Sequence, residues 1–111
     1  MSLTLYGLKN CDTCKKALKA LEAAGRPAEF VDIRAEADLA KLLPDWLSKA
    51  GPDVLINRRS TTWRTLSDGE RSGEPRALLM AHPTLIKRPV IETGGEVHIG
   101  WAKDVQAALI P

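Results

Sequence analysis

The chain opens on an alternating run, Leu3-Thr4-Leu5-Tyr6-Gly7, whose period of two predicts a strand. The period then changes. Cys14, Ala17, Leu18 and Leu21 share one face of a helical repeat while Lys15, Lys16 and Lys19 turn away, which predicts a helix over about 13–24. Gly25, followed by Pro27, stops it, and residues 28–33 read as a second strand. This βαβ-like opening favours an α/β fold. The middle is helical and less regular. A helix over about 41–50 requires Pro44 to lie in its first turn, and Gly51-Pro52 ends it. Leu55-Ile56 reads as a short helical turn, and Pro75 as the first residue of a helix ending before His82-Pro83. Alternation returns in Val90–Thr93 and Glu96–Ile99, which flank Gly94-Gly95, a two-residue hairpin signal. A last helix covers about 103–109. The order βαβ, helical insertion, ββα predicts a mixed sheet with helices packed on it.

At 111 residues the chain is long enough for one domain with a core and too short for two, so 1–111 is expected to be a single domain with a helical insertion over about 38–83. Sixteen Lys and Arg against fourteen Asp and Glu leave a net charge of +2, too weak a footprint to argue for direct nucleic-acid binding. There is no apolar run of about 18 residues, so no membrane span or membrane partner is expected. Met1-Ser2-Leu3-Thr4-Leu5 lacks the basic and long apolar regions of a signal peptide, and the expected location is the cytoplasm. In that compartment a close cysteine pair points to catalysis, redox sensing or metal binding before a structural staple.

The only two cysteines, Cys11 and Cys14, stand as Cys-x-x-Cys where the first strand gives way to the first helix. Free backbone N–H groups and the helix dipole there favour a thiolate, and Lys9, Lys15 and Lys16 add positive field. Cys11 is the less enclosed and the better nucleophile. Cys14, on the helix face, suits a resolving thiol. The bland alternative makes Cys14 a small core residue and Cys11 incidental. A zinc site is disfavoured, because only two sulfurs exist and His82 and His98 lie far off at no finger-like spacing.

Two further groups draw attention. Arg88-Pro89 precedes a strand, where a cis peptide can present a backbone edge to a ligand; an ordinary turn proline with a solvated arginine is the alternative. Arg58, Arg59 and Arg64 surround Ser60, Thr61 and Thr62, and guanidinium forks with hydroxyls suit a tetrahedral oxyanion. The alternative there is a solvated loop leading into a helix capped by Ser60 or Thr61, with Trp63 in the core. His82, near a helix end, and His98, on a strand, read as structural.

Three motifs together resemble the arsenate reductase-like (ArsC) family of the thioredoxin superfamily. They are Tyr6-Gly7-x-Lys9-Asn10-Cys11-Asp12-Thr13 with Lys15-Lys16-Ala17, then Asn57-x-Arg59-x-Thr61-Thr62-Trp63-Arg64, then His82-Pro83-x-x-Ile86-Lys87-Arg88-Pro89. The resemblance is to the YffB-like branch, with the Spx regulators as a sister branch. It implies a thioredoxin-like α/β domain, Cys11 as nucleophile, Arg88 as an anion-holding arginine and Pro89 in cis. It implies an oxyanion- or thiol-binding set drawn from Arg88, Pro89, Arg58, Arg59, Asn10 and Lys9. No bound cofactor is implied: glutathione is the expected co-substrate, glutaredoxin or thioredoxin the expected protein reductant, and a monomer the expected form. Asn57 stands where glutathione-dependent arsenate reductases carry a second arginine, and His98-Ile99-Gly100-Trp101 replaces the region of a third. Cys14 departs the other way, since the YffB-like branch usually has an apolar residue there while Spx regulators use Cys-x-x-Cys as a redox switch. The expected function is thus a thiol-dependent oxidoreductase, and the alternative a redox-sensing regulator that binds RNA polymerase.

Overall fold

Alternation in Leu3–Gly7 sends Leu3, Leu5 and Gly7 to one face of strand β1, and these are buried. The computed structural model describes residues 2–110. In it β1 (Leu3–Gly7) is followed by helix α1 (Asp12–Ala23) and strand β2 (Ala28–Asp32), which pairs parallel to β1 with Leu5 opposite Phe30. Later come β3 (Val90–Thr93), β4 (Glu96–Ile99) and a C-terminal helix over Lys103–Leu109. β3 runs antiparallel to β1, with Leu5 opposite Ile91, so the sheet order is β2-β1-β3-β4. The β3–β4 hairpin turns on Gly94 and Gly95, both at positive φ (53° and 84°), as a two-residue turn between twisted strands demands.

Two compact units make up the chain: Met1–Ala37 with Arg88–Pro111, and Asp38–Lys87. The first has its core on one face of the sheet. There Leu3, Leu5 and Ile91 meet Cys14, Ala17 and Leu21 of α1 and Val105 and Leu109 of the C-terminal helix. Arg26, just past α1, donates to the carbonyl of Leu109 and ties the two helices.

The second unit holds α2 (Leu39–Ala50), α3 (Pro52–Leu55), α4 (Thr61–Thr65), α5 (Asp68–Arg71) and α6 (Pro75–Ala81), then a 3-10 turn over Pro83–Leu85. Naming the C-terminal helix α7 completes the series. Several expectations are corrected here. α2 starts at Leu39, capped by the Asp38 side chain, so Pro44 lies beyond its first turn. The helix tolerates this because Pro44 is on the exposed side, and the Ala40 carbonyl, whose donor Pro44 lacks, accepts from Arg76 Nη2 at 3.4 Å. The short turn is Pro52–Leu55; Ile56 leaves it extended and bridges to Ile86, between the Asn57 N–H to Leu85 carbonyl bond at 2.7 Å and the Lys87 N–H to Leu55 carbonyl bond at 2.8 Å. α5, closed by a Ser67–Glu70 capping box, was not anticipated. Trp63 is only half-buried, with the guanidinium groups of Arg58 and Arg71 at 5.5 and 5.6 Å from its ring, where cation–π attraction replaces core packing. Among the described residues no helix is long and apolar enough to cross a membrane.

Candidate active site

β1 ends at Gly7 and the chain folds at once into a turn, with Cys11 N–H donating to the Leu8 carbonyl at 3.2 Å. Cys11 is the N-cap of α1. Its backbone is extended (φ −96°, ψ 114°), and its sulfur accepts from the Cys14 N–H at 3.4 Å. A thiolate is thereby aimed at the N-terminus of a helix, where orphan donors and the dipole favour negative charge. Cys11 is partly exposed and Cys14 buried, and both are free thiols.

The burial of Cys14 depends on Gly7, which the strand and the family motif include without assigning it a role. A Cβ on Gly7 would lie 2.5 Å from Cys14 Sγ and 3.2 Å from its Cβ, so only glycine lets the sulfur sit against the strand.

The two sulfurs titrate in opposite directions. At Cys11 burial opposes the thiolate, but this is outweighed by hydrogen bonds from the Cys14 thiol and N–H and by the charge and hydrogen bond of Arg88, so the pKa falls below the ordinary thiol value. At Cys14 burial dominates, reinforced by the thiol's hydrogen bond to Cys11 and by the negative charge there. Its pKa is pushed up to about 12 despite the Leu8 N–H and Arg88. The pair is therefore driven apart, Cys11 toward the thiolate and Cys14 toward the thiol.

Arg88 reaches Cys11 from the other end of the sequence, immediately before β3. The Arg88–Pro89 peptide is cis, as the resemblance implied, and the Pro89 carbonyl accepts from Gly100 N–H at 2.8 Å. Lys9 and Asn10 are exposed in the turn before Cys11. Arg58 and Arg59 belong to the other unit, where Arg58 pairs with Asp53 at 3.1 Å as well as facing Trp63, and Asn57 Oδ1 accepts from the Arg59 N–H at 3.1 Å. His82 caps the end of α6 with its ring 3.6 Å from Glu70, and His98 lies 3.7 Å from Glu96. Among the described residues no three His, Cys, Asp or Glu side chains are grouped to hold a metal ion.

A match to the ArsC family spans residues 6–109. The chain belongs to the ArsC family. An uncharacterized protein of Haemophilus influenzae is 40% identical over 111 residues, covering 96% of this chain and 97% of that one. The solved structure of a YffB protein superposes with a TM-score of 0.86 at 33% identity, covering 99% and 100% of the two chains. That of an ArsC-related protein from Brucella melitensis gives 0.79 at 38% identity, covering 97% and 93%. At lower similarity, the global transcriptional regulator Spx of Listeria innocua is 26% identical over 98% of this chain and 87% of its own. A glutaredoxin from Archaeoglobus fulgidus shares the fold alone, at a TM-score of 0.52 and 19% identity over 98% and 85% of the two chains. The fold class is thus the thioredoxin-like α/β mixed sheet expected from the element order.

Proposed function

We propose that this ArsC-family chain is a thiol-dependent oxidoreductase in which Cys11 is the nucleophile. The observation that carries the reading is the split pair: Cys11, the N-cap of α1, takes the Cys14 N–H on its sulfur at 3.4 Å and is lowered by its hydrogen bonds from Cys14 and by Arg88, beside a buried Cys14 that is raised. With a mixed disulfide as substrate, the Cys11 thiolate attacks one sulfur. A new S–S bond forms at Cys11, the old one breaks, and the departing thiolate takes a proton from water. Cys14 then loses its proton to solvent and attacks the Cys11 sulfur, releasing the second thiol and leaving Cys11–Cys14 as a disulfide. Its elevated pKa becomes less costly at this stage, since the Cys11 negative charge that opposed ionisation is gone. Two electrons have passed from the dithiol to the substrate, and glutathione or a dithiol protein such as glutaredoxin or thioredoxin restores the pair. Arg88 holds the thiolate and an incoming anion, and Pro89 presents backbone beside it. A protein of this kind works in the cytoplasm, where such reductants are abundant.

Arsenate is the weaker substrate candidate. Asn57 replaces one arginine of the family's oxyanion clamp, and Arg58 is already engaged by Asp53 and Trp63. Turnover of a glutathione mixed disulfide should vanish in Cys11→Ser; full activity in that variant would refute the mechanism. The regulator alternative gains support from the similarity to Spx along nearly the whole chain. Capture of the RNA polymerase α subunit only after oxidation or only after reduction would favour it, and capture in neither state removes it.

A further inference from the structure

The segment His98-Ile99-Gly100-Trp101 carries no arginine and is unused by this mechanism, yet it reaches the turn that bears Arg88. β3 begins at Val90, so Arg88 and Pro89 lie just before the sheet ladder. At Val90 the chain is paired on both sides, with Tyr6 of β1 and Ile99 of β4. One residue earlier a further bond takes over: the Gly100 N–H donates to the Pro89 carbonyl at 2.8 Å. Gly100 is buried and stands at φ +84°, the left-handed region that residues with a Cβ rarely adopt. The residue after it is held as well. The Trp101 carbonyl accepts from Gln106 Nε2 of α7 at 2.9 Å, and Trp101 packs against the same apolar core as Cys11. Contacts therefore run from α7 through Trp101 and Gly100 to Pro89, and on to Arg88, whose side chain hydrogen-bonds the Cys11 sulfur.

We infer that Gly100 is a positioning residue for the Cys11 site: by holding the Pro89 carbonyl, its N–H fixes the backbone from which Arg88 reaches the sulfur. The inference rests on the oxidoreductase reading, in which Arg88 serves Cys11, and adds to it the device that aims Arg88. An arginine side chain is long and rich in rotamers, so its head is well placed only where its backbone is fixed. A charge-assisted hydrogen bond depends on that placement, because it weakens steeply as distance and angle depart from the ideal. Alanine at position 100 must either keep a strained φ or rotate out of it, and rotation takes the N–H away from Pro89. Arg88 then keeps its charge and loses its aim.

The test uses the intact chain as wild type, Arg88→Gln, Gly100→Ala and Arg88→Gln/Gly100→Ala. For each protein the pH midpoint of Cys11 alkylation by iodoacetamide is measured beside the urea midpoint of unfolding. Gly100→Ala should raise the alkylation midpoint, with a loss of Cys11 thiolate at neutral pH of about two- to fivefold, the size of one partly exposed charge pair. In the Arg88→Gln background it should raise the midpoint no further. A merely structural role lowers the urea midpoint and leaves the alkylation midpoint in place, and that result overturns the inference. A shift of equal size in both backgrounds also overturns it, because the effect would not pass through Arg88. Where Gly100→Ala does not fold, Gln106→Ala decides, since it frees the Trp101 carbonyl without straining the backbone. A rise in its alkylation midpoint that Arg88→Gln abolishes upholds the positioning, and an unmoved midpoint rejects it. Failure of the oxidoreductase reading looks different: Arg88→Gln alone then leaves the wild-type midpoint unmoved, and the positioning role falls with it.

Discussion

Gly7 and Cys14 show how a single atom of space sets up the chemistry. In Gly7→Ala the new methyl must displace Cys14 Sγ, from which it would stand 2.5 Å. Overpacking of this kind costs about 1–3 kcal/mol. Cys14→Ala should recover most of that loss, which a double-mutant cycle by urea unfolding would measure; simple additivity would mean that the two do not meet. Cys11 offers a second separation of roles. Serine is a strong N-cap, so Cys11→Ser should keep stability within about 1 kcal/mol of wild type while abolishing turnover, and Cys11→Ala should lose about 0.5–2 kcal/mol more from the exposed helix end. The cysteines were legible in the sequence because their spacing and the change of period around them are local. Gly7 was not, because what it accommodates is a sulfur seven residues further on.

At the level of elements, strands and helices with several repeats of their period announce themselves, and the short or interrupted ones do not. β1, α1, β3, β4 and α7 carry clear alternation or a helical stripe, and the sequence reading places them within a residue or so. α5 has four residues, too few for a period; its only mark is the Ser67-x-x-Glu70 capping box. The first turn of α2 is not legible in the sequence, because a proline ordinarily marks a first turn and the surroundings of Pro44 relax that rule. With the Ala40 carbonyl taken by Arg76, Leu39, Leu43 and Trp46 continue one buried stripe through the proline. The prediction follows that Arg76→Ala lowers stability by about 0.5–1.5 kcal/mol, the usual net value of a hydrogen bond. In Arg76→Ala/Pro44→Ala, where the backbone N–H again reaches Ala40, that cost should largely vanish. Thermal unfolding of the four proteins checks it, and an equal cost in both backgrounds contradicts it.

Over the whole molecule, the pairing of β1 with β3 joins residues 4–6 to 90–92, and no local pattern reveals it; the family resemblance implies a thioredoxin-like domain but names no strand partners. The same pairing creates a titrating contact. Tyr6 Oη donates to Glu92 Oε1 at 3.0 Å, and burial, then the hydrogen bond and charge of Glu92, raise the Tyr6 pKa to about 12. A raised acid pKa means that folding favours the protonated group. That stability is fully present below the unfolded value near 10 and is lost as pH climbs toward 12. Cys14, raised from near 9 to about 12, acts in the same direction. Urea midpoints should therefore fall steeply above pH 9. Tyr6→Phe should cost about 1 kcal/mol at neutral pH and make the limb above pH 10 shallower, and a limb of unchanged slope would remove Tyr6 from the account.

The central claim is that hydrogen bonds from Cys14 at the start of α1, and Arg88, hold the Cys11 thiol below its ordinary pKa. The direct measurement is the rate of Cys11 alkylation by iodoacetamide against pH, in wild type and in Arg88→Gln, with the site of modification read by mass spectrometry. The account predicts a wild-type midpoint below the ordinary thiol value of about 8.5, an upward shift when Arg88 is removed, and no modification of Cys14 across that range. A midpoint at or above the ordinary value, unmoved by Arg88→Gln, would contradict it.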